Sequence, residues 1–246
     1  MSKRVAVVTG GIGGLGTAIC KALAQAGRTV VAVDLGDRAE RTAAFRQEVE
    51  GHDIHFAAAD VADHAACGEL VRGIEARHGT LDILVNNAGI TRDSTLRKMD
   101  RGQWDEVLDV NLGSAFNLCA HALEGMQARG FGRVVNISSV SGQTGNFGQA
   151  NYAAAKAGLH GLTMSMAREV AAKGITVNSI SPGYIETPMT AAMPAEVLSR
   201  ITASIPARRM GQPDDIARAV VFLTDDAASY VTGANLAVNG GLFMSF

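Results

Sequence analysis

The sequence predicts a single α/β domain, in which a doubly wound parallel sheet of about seven strands carries helices on both faces. Apolar, β-branched runs alternate along the chain with stretches of helical period, as a series of βαβ units requires. Several of these runs are almost continuously apolar, which is typical of strands buried on both faces. The 246 residues contain neither an internal repeat nor a linker-like stretch, so we expect one domain over residues 1–246.

The predicted elements alternate from the beginning of the chain to its end. The strands are predicted at residues 4–9, 29–34, 53–59, 81–87, 132–138, 175–181 and 234–240. The helices are predicted at residues 14–26, 38–50, 63–78, 102–129, 149–173 and 213–224. The proline-containing segment 181–201 interrupts this rhythm as an irregular excursion. We expect a substrate lid at residues 182–205, with a plain surface excursion as the alternative.

Composition argues against several classes of protein. A net charge of −2 disfavours a general nucleic-acid binder or a binder of anionic membranes. The apolar run at residues 5–8 is too short for a signal peptide, and no stretch approaches the ~18 apolar residues of a membrane span. Cys20, Cys67 and Cys119 have neither metal-site nor disulfide spacing. We therefore predict buried reduced thiols, no metal and a cytoplasmic protein.

A glycine-rich turn, "VVTGGIGGLGTAICKAL" at residues 7–23, follows the first predicted strand and opens the first helix. Glycines permit a sharp turn and let backbone N–H groups approach a pyrophosphate at the helix N-terminus. The strand–turn–helix context favours a dinucleotide site over a tight turn without a ligand. The predicted contacts are Gly10, Ile12, Gly13, Gly14, Leu15 and Gly16.

Asp34 ends the second predicted strand, 18 residues after Gly16. An acid at this place hydrogen-bonds the ribose hydroxyls of NAD and repels a 2′-phosphate. Capping the next helix is its alternative role, for which Asp37 competes. Arg38 and Arg41 lie nearby, and guanidinium groups bind 2′-phosphates. We favour NAD(H) as the cofactor, with NADP(H) as the alternative.

Two further strand ends offer cofactor contacts. Asp60 and Val61 follow the third strand, where the Asp60 carboxylate either accepts the adenine amino group or caps a helix. Asn87, Ala88 and Gly89 belong to "VNNAG", which ends the fourth strand. Asparagine tolerates unusual backbone angles and braces neighbouring strands, so a purely structural turn is the alternative here.

Tyr152 and Lys156 lie four residues apart in "NYAAAKAG", on one face of a predicted helix. This spacing alone is common in helices and indicates no more than a half-buried tyrosine beside a lysine. Ser139 precedes Tyr152 by 13 residues, at the carboxyl edge where open α/β sheets bind ligands. The alternation of a strand turns the neighbouring Ser138 to the opposite face.

Several motifs together resemble those of the short-chain dehydrogenase/reductases, in order, in spacing and over nearly the whole chain. They are "TGGIGGLG", "NNAG", Asn111 in "DVNLGSAF", Ser139 in "NISSVSG", "NYAAAK" and "SPGYIETPM". The resemblance implies a Rossmann-like fold, a nicotinamide cofactor and catalysis by Asn111, Ser139, Tyr152 and Lys156. Non-catalytic dinucleotide sensors typically lack the tyrosine or the lysine, so an enzyme is predicted.

Carbonyl reduction needs a proton at oxygen, which Tyr152 is expected to donate. A free tyrosine has a pKa of ~10, and a nearby ammonium such as that of Lys156 lowers it. Ser139 is expected to hydrogen-bond the carbonyl and to stabilise developing negative charge. By resemblance, Lys156 also holds the nicotinamide ribose, and Asn111 anchors a water that relays protons to the lysine.

The resemblance also gives expectations for the segment after the sixth strand. Pro182, Gly183, Ile185 and Thr187 occupy positions that the family uses near the nicotinamide carboxamide. This contact fixes the ring face offered to the substrate, and the implied product is the (R)-3-hydroxy compound.

Within the family, four stretches resemble the acetoacetyl-CoA reductases of polyhydroxybutyrate synthesis: "NNAGITRD", "GNFGQANYAAAKAGLHG", "SPGYIET" and "VNGGLFMS". The 3-oxoacyl-acyl-carrier-protein reductases of fatty-acid synthesis are nearly as similar. Phe147, Gln149, His160 and Tyr184 favour the CoA enzymes, whereas Asn146 departs from their glutamine. The implied reaction converts acetoacetyl-CoA to (R)-3-hydroxybutyryl-CoA. The residues expected to line the substrate pocket are Asp93, Ser139, Asn146, Phe147, Gln149, Tyr152 and Tyr184.

Basic residues near the predicted crevice suit either substrate. Arg92, Arg97 and Lys98 follow the fourth strand, with Arg208 and Arg209 as further candidates. They are expected to receive CoA phosphates or an acidic carrier protein, with a solvated basic face as the alternative. The resemblance also implies a homotetramer built through the two long helices and the C-terminal "GGLFMSF".

Overall fold

The computed structural model describes residues 3–37, 39–187 and 194–245 and contains one sheet of seven parallel strands. Their spatial order is β3-β2-β1-β4-β5-β6-β7. The strands are β1 Val5–Thr9, β2 Thr29–Asp34, β3 Ile54–Ala58, β4 Ile83–Asn86, β5 Gly132–Ile137, β6 Ile175–Pro182 and β7 Asn235–Val238. The predicted fold class is confirmed.

The helices follow the strands in the alternation that the sequence predicts. In the described residues they are α1 Gly14–Gln25, α2 Ala39–Glu48, α3 His64–His78, α4 Arg101–Leu108, α5 Ser114–Arg129, α6 Ser141–Thr144, α7 Ala150–Val170, α8 Ala195–Ser204 and α9 Pro213–Leu223. Local signals set several ends. Asp63 caps α3 through the N–H groups of Ala65 and Ala66, and Gly79, with a φ of 81°, ends the helix in the left-handed region.

Alternate side chains of the central strands face two separate hydrophobic cores. On one face, Val7, Leu84 and Val134 pack with α3, α5 and α7. On the other, Val8, Val85 and Val135 pack with α1, α2 and α9. This arrangement explains the continuously apolar strands, because both faces of the sheet are buried. The three cysteines are buried within these cores, as predicted.

The strand order reverses between β1 and β4, which pair in parallel through Ala6–Ile83, Val7–Leu84 and Val8–Val85. Chains that leave neighbouring strands to opposite sides open a crevice at the carboxyl ends. The segments that follow β1, β4, β5 and β6 all start from this edge of the sheet. The predicted cofactor and catalytic residues lie on these segments or on the helices that they lead into.

Two predicted elements differ from the structure. The helix predicted at 102–129 is interrupted by a π-helical turn at Asp109–Gly113, which separates α4 from α5. The segment predicted as irregular at 181–201 contains most of α8, an amphipathic helix over Ala195–Ser204. Residues 188–193 of the expected lid, and Arg38 after β2, lie outside the described residues.

Within the described part of the chain, no helix combines the length and the apolarity needed to cross a bilayer.

Candidate active site

Ser139 and Tyr152 meet at the carboxyl edge of the sheet. Ser139 lies two residues after β5, and Tyr152 lies in the first turn of α7. The Ser139 hydroxyl lies close enough to the Tyr152 hydroxyl to lower the pKa of the tyrosine. The N–H of Ser141 donates to Ser139 Oγ at 3.1 Å, which orients the serine. The two side chains are thus held where a carbonyl oxygen can contact both.

Ser138 has a different role. Its side chain is buried, and its hydroxyl donates to the backbone oxygen of Lys156 at 2.7 Å. Ser138 therefore fastens α7 to the end of β5, while the adjacent Ser139 faces Tyr152. The geometry agrees with the expected orientation of the two serines.

Lys156 lies one turn after Tyr152 and is almost completely buried, with 3% of its surface exposed. Its Nζ donates to the carbonyl oxygen of Ile137 at 2.8 Å and lies 5.6 Å from the centroid of the Tyr152 ring. Burial lowers the pKa of Lys156 to about 8. The side chain is therefore mostly protonated at neutral pH and presents its charge to the tyrosine.

Burial raises the pKa of Tyr152, the hydrogen bond from Ser139 lowers it, and the negative charge of Asp93 raises it again. The net direction is upward. Sequence reasoning anticipated the lysine but missed the contribution of Asp93. The lowering by Lys156 stays a prediction, and it has to overcome both of these effects.

Asn111 lies in the π-helical turn and is buried. Its Oδ1 accepts from the N–H of Ile90, and its Nδ2 donates to the carbonyl oxygen of Ile90, both at 2.8 Å. A side chain on Gly89 would come within 2.6 Å of Asn111 Oδ1 and 3.5 Å of Lys156 Nζ. Glycine at 89 therefore allows these two side chains to approach one backbone segment. The proposed water of Asn111 stays a prediction.

The glycine-rich turn forms a cradle at the N-terminus of α1. Gly10 has a φ of 60°, and a Cβ at Gly16 would overlap the carbonyl oxygen of Gly10. Gly13 is the N-cap residue, and no side chain caps this helix. The first-turn N–H groups of α1 thus face the turn without a side-chain acceptor, as a bound diphosphate requires. These residues fit a dinucleotide.

The neighbouring strand ends support this cradle. Asn87 Nδ2 donates to the carbonyl oxygen of Thr9 at 2.8 Å, and the N–H groups of Asn87 and Ala88 both donate to Thr9 Oγ1 at 3.0 Å. Asn86 Nδ2 donates to Asn136 Oδ1 at 2.8 Å. The asparagines of "NNAG" therefore brace β4 against β1 and β5, which leaves Ala88 and Gly89 at the crevice.

Asp34 and Asp60 both lie at carboxyl ends of strands. Asp34 is the last residue of β2, and its Oδ1 accepts from the N–H of Leu35 at 3.0 Å. Asp60 Oδ1 accepts from the N–H of Ala62 at 2.9 Å. The alternative of Asp60 as the cap of α3 is wrong, because Asp63 occupies that position.

The segment after β6 is held from two sides. The carbonyl oxygen of Pro182 accepts from the N–H of Val140 at 2.8 Å, and the N–H of Gly183 donates to Val238 at 3.1 Å. Ile185 is buried and pairs with Gly211. Pro182 and Gly183 thus lie between the Ser139 segment and β7, at the same edge as the catalytic side chains.

Comparison with known proteins places the chain in a family. Residues 10–243 match a family model described as "Enoyl-(Acyl carrier protein) reductase". The chain is 55% identical to the acetoacetyl-CoA reductase of Allochromatium vinosum, over 98% of this chain and 99% of that protein. It is 48% identical to the acetoacetyl-CoA reductase of Cupriavidus necator, over 99% and 100% of the two chains. It is 44% identical to a 3-oxoacyl-[acyl-carrier-protein] reductase of Vibrio cholerae, over 98% of each.

The chain belongs to the short-chain dehydrogenase/reductase family. The family assignment rests on nearly the whole chain rather than on one motif. It agrees with the arrangement of Ser139, Tyr152 and Lys156 described above.

In this short-chain dehydrogenase/reductase, three of the expected substrate residues form one hydrogen-bonded network. Gln149 Nε2 donates to Asp93 Oδ2 at 3.0 Å, and Asn146 Nδ2 donates to Gln149 Oε1 at 2.9 Å. The N–H of Ser94 donates to the carbonyl oxygen of Gly148 at 2.8 Å. The network joins the loop after β4 to the loop before α7 and forms one rim of the site.

Two aromatic residues expected in the pocket differ in exposure. Phe147 is 89% exposed at the tip of the loop before α7. Tyr184 is half-buried two residues after β6, and its carbonyl oxygen accepts from the N–H of Gly211 at 2.9 Å. Phe147 therefore contributes an apolar surface at the mouth of the site rather than a wall of a closed pocket.

The basic residues expected at the crevice are mostly engaged elsewhere. Arg92 makes a two-pronged ion pair with Glu106, at 2.8 and 2.6 Å. Arg209 pairs with Asp215 at 2.7 Å. Arg97 and Lys98 are exposed, and neither makes an ion pair within the described ranges. Arg208 donates to the carbonyl oxygen of Ala203 at 2.6 Å. Of the five expected residues, Arg97 and Lys98 suit a phosphate better, because binding there breaks no existing ion pair.

Proposed function

We propose that this protein reduces acetoacetyl-CoA to (R)-3-hydroxybutyryl-CoA with a nicotinamide dinucleotide as reductant. The observation that carries the proposal is the meeting of Ser139, Tyr152 and Lys156 at the sheet edge beside an uncapped glycine-rich turn. Relatives 55% and 48% identical over essentially their full length are named for reduction of acetoacetyl-CoA, which supports the same substrate here.

The side chains divide the chemistry at the carbonyl oxygen. The glycine-rich turn would hold a nicotinamide dinucleotide, which would supply the hydride for the carbonyl carbon. Tyr152 donates the proton to the oxygen, while the Ser139 hydroxyl hydrogen-bonds that oxygen as negative charge develops on it. Lys156 places a buried positive charge beside the Tyr152 ring, which favours the phenolate left after proton transfer. Asn111 would anchor the water that returns a proton towards the lysine.

We favour NADH over NADPH as the physiological reductant. Asp34 ends β2 at the place where a carboxylate meets the adenosine ribose and repels a 2′-phosphate. Arg41 argues for NADPH instead, because a guanidinium group near this site can bind a 2′-phosphate. In the structure, its Nε donates to the carbonyl oxygen of Ile12 at 3.3 Å. Its guanidinium thus lies over the glycine turn, attached to backbone.

The remaining cofactor contacts follow from the same edge. Pro182, Gly183, Ile185 and Thr187 would hold the carboxamide and fix the ring face, which supports the (R) product. The residues proposed to hold the rest of the dinucleotide are Gly10, Ile12, Gly13, Gly14, Leu15, Gly16, Asp34, Asp60, Val61, Asn87, Ala88, Gly89, Tyr152 and Lys156.

A second substrate, a 3-oxoacyl group on acyl-carrier protein, is favoured by one specific observation. Arg97 and Lys98 are exposed beside the rim and suit the acidic surface of a carrier protein as well as the phosphates of CoA. The Vibrio cholerae relative, 44% identical, is named for that substrate.

Steady-state rates on acetoacetyl-CoA and on acetoacetyl-acyl-carrier protein, each with NADH and with NADPH, test the proposal. We expect the highest kcat/KM for acetoacetyl-CoA with NADH. An equal or higher kcat/KM on the carrier protein contradicts the CoA assignment, and a higher value with NADPH contradicts the cofactor preference. Background oxidation of NADH with every ketoacyl thioester would favour a non-catalytic dinucleotide sensor.

A homotetramer and a lid complete the proposal. Phe116 on α5 and Met164 on α7 are more than half exposed, and these apolar side chains suit contacts between subunits through the two long helices. Light scattering on the purified protein tests for four subunits.

We propose that the segment 182–205, which includes α8, closes over bound substrate.

A further inference from the structure

A hydrogen-bonded chain of three side chains crosses from the half-buried His160 on α7, through the buried Ser181 on β6, to Asn235 at the exposed start of β7. His160 lies one turn after Lys156 on α7, and its Nε2 is 3.2 Å from Ser181 Oγ. Ser181 Oγ donates in turn to Asn235 Oδ1 at 2.9 Å. We call these three residues, His160, Ser181 and Asn235, the His160 bridge.

The hydrogen-bond directions fix the form of the histidine. A serine hydroxyl has one proton to donate, and Ser181 gives that proton to Asn235. His160 Nε2 must therefore donate to Ser181, so the imidazole carries its proton on Nε2. Burial lowers the pKa of His160, which keeps the ring neutral at physiological pH. Each residue of the bridge thus donates to the next, from His160 on α7 to Ser181 on β6 and from Ser181 to Asn235 on β7.

The bridge adjoins the proposed active site on two elements, β6 and α7. Ser181 is fully buried and is followed by Pro182, the first residue of the segment proposed to meet the nicotinamide. On the helix side, Lys156 and Tyr152 lie one and two turns before His160, on the same face of α7. The bridge therefore joins the helix that carries the proton donor to the strand that leads to the nicotinamide end.

We propose that His160 is a positioning residue, which acts through Ser181 to set the separation between Tyr152 and the Pro182–Thr187 segment. This inference rests on the proposed function, because proton and hydride must reach the same carbonyl group. Reactions of this kind are sensitive to small displacements, and a shift of about 1 Å can cost up to about a hundredfold in rate.

Ser179 provides a matched control on the same strand. Its side chain is also fully buried, and its hydroxyl donates to the same Asn235 Oδ1 at 3.0 Å. Ser179 makes no contact with His160 among the hydrogen bonds of the described residues. Replacing Ser179 with alanine therefore removes a comparable bond while leaving the link from His160 to Ser181 intact.

The test compares His160→Leu, His160→Gln, Ser181→Ala, the His160→Leu/Ser181→Ala pair and Ser179→Ala. For each we would measure kcat and KM with acetoacetyl-CoA, the Kd for NADH without substrate, and the Tm. His160→Leu and Ser181→Ala should each lower kcat about tenfold, and together they should cost no more than either alone. The Gln variant should stay within about twofold of wild type, because its amide N–H replaces the Nε2–H donor.

The control separates positioning from stability. Ser179→Ala should keep kcat and the Kd for NADH within about twofold of wild type, whatever its Tm. His160→Leu should also weaken NADH binding severalfold. A kcat for His160→Leu within twofold of wild type, multiplying effects in the double variant, or an equal loss in Ser179→Ala would each contradict the proposal.

Two outcomes keep this inference distinct from the proposed function. If the wild-type protein does not reduce acetoacetyl-CoA, the proposed function fails, and the NADH affinities still test the bridge. Equal affinities across all five variants would then show that the bridge positions nothing. If His160→Leu does not fold, Ser181→Ala carries the same comparison with Ser179→Ala.

Discussion

The ammonium of Lys156 donates to the carbonyl oxygen of Ile137, the last residue of β5, across 2.8 Å. This bond attaches the helix that carries Tyr152 to the strand that leads to Ser139. It also holds a cation in a place from which water is nearly excluded. Burying the charge of Lys156 costs folding stability, whereas the proposed catalysis needs that charge beside Tyr152.

Lys156→Met should abolish activity and make folding stability depend less on pH. The pKa of Lys156 is about 8 in the folded protein, against an ordinary 10.5. Between these values the unfolded chain holds a proton that the folded chain has released, so this group makes the protein more stable as the pH rises from about 8 to 10.5. Relative to the Met variant, wild type should gain up to ~3 kcal/mol across this window.

Urea unfolding of both proteins at pH 7.5 and pH 10 would measure this difference, with the exposed Lys173→Met as the matched control. An unfolding free-energy difference between wild type and Lys156→Met that is the same at both values would contradict the buried-lysine argument.

Tyr152→Phe should weaken NADH binding only severalfold and reduce kcat at least a hundredfold, because the ring stays and only the hydroxyl that carries the donated proton is lost. Steady-state kinetics with acetoacetyl-CoA and fluorescence titration with NADH measure the two effects. Tyr230 is fully exposed, and Tyr230→Phe should behave as wild type. Retention of more than a few per cent of kcat in Tyr152→Phe would remove the proton-donor role.

Asn111→Ala should lose both stability and activity, because it leaves the part-buried N–H and C=O of Ile90 without their side-chain partner. A loss of about 2–4 kcal/mol in unfolding free energy is expected. Asn178→Ala is a matched control, since Asn178 also makes one donated and one accepted backbone bond, with Val231 and Ala234 at 2.8 and 3.1 Å. Chemical unfolding and kcat should separate the two: both variants are destabilised, but only Asn111→Ala loses kcat. Equal kcat in both variants would reduce Asn111 to a structural residue.

Gly16→Ala should abolish dinucleotide binding, because the new methyl group would overlap the carbonyl oxygen of Gly10 and open the turn. Titration with NADH would show the loss. Gly161 lies within α7, and a Cβ there meets nothing within 4 Å. Gly161→Ala should bind NADH normally and gain up to ~1 kcal/mol of stability from its higher helix propensity. NADH affinity in Gly16→Ala within twofold of wild type would rule out the proposed cradle.

The fold class, the strand positions and the placement of Ser139 and Tyr152 at one edge of the sheet were accessible from the sequence, because each depends on a pattern of neighbouring residues. Buried parallel strands are continuously apolar, and glycines gather where the backbone must turn or come close. The side chains of Ser138 and Ser139 separate as strand alternation predicts. These features need only neighbours in the chain or in the sheet.

Other features depend on partners that are distant in sequence. The π-helical turn has no local signal in "DVNLG", since what accompanies it is the pairing of Asn111 with Ile90, 21 residues away. Arg92 looked available for phosphate until its partner Glu106 was located across the α4 surface. Likewise, the sequence singles out His160 only through a resemblance and does not link it to Ser181, so only their contact reveals the bridge.

The His160 bridge ends on β7, which follows the other six described strands in the chain. Ser179 and Ser181 are both fully buried, and both hydroxyls rely on Asn235, which follows them by more than fifty residues. A nascent chain can assemble the first six strands and the whole glycine turn before residue 235 emerges from the ribosome. Until then, the hydroxyls of Ser179 and Ser181 in β6 lack their acceptor, and the strand that leads to the proposed nicotinamide segment is not fixed in place. Competence for dinucleotide binding would thus be delayed until β7 has joined the sheet.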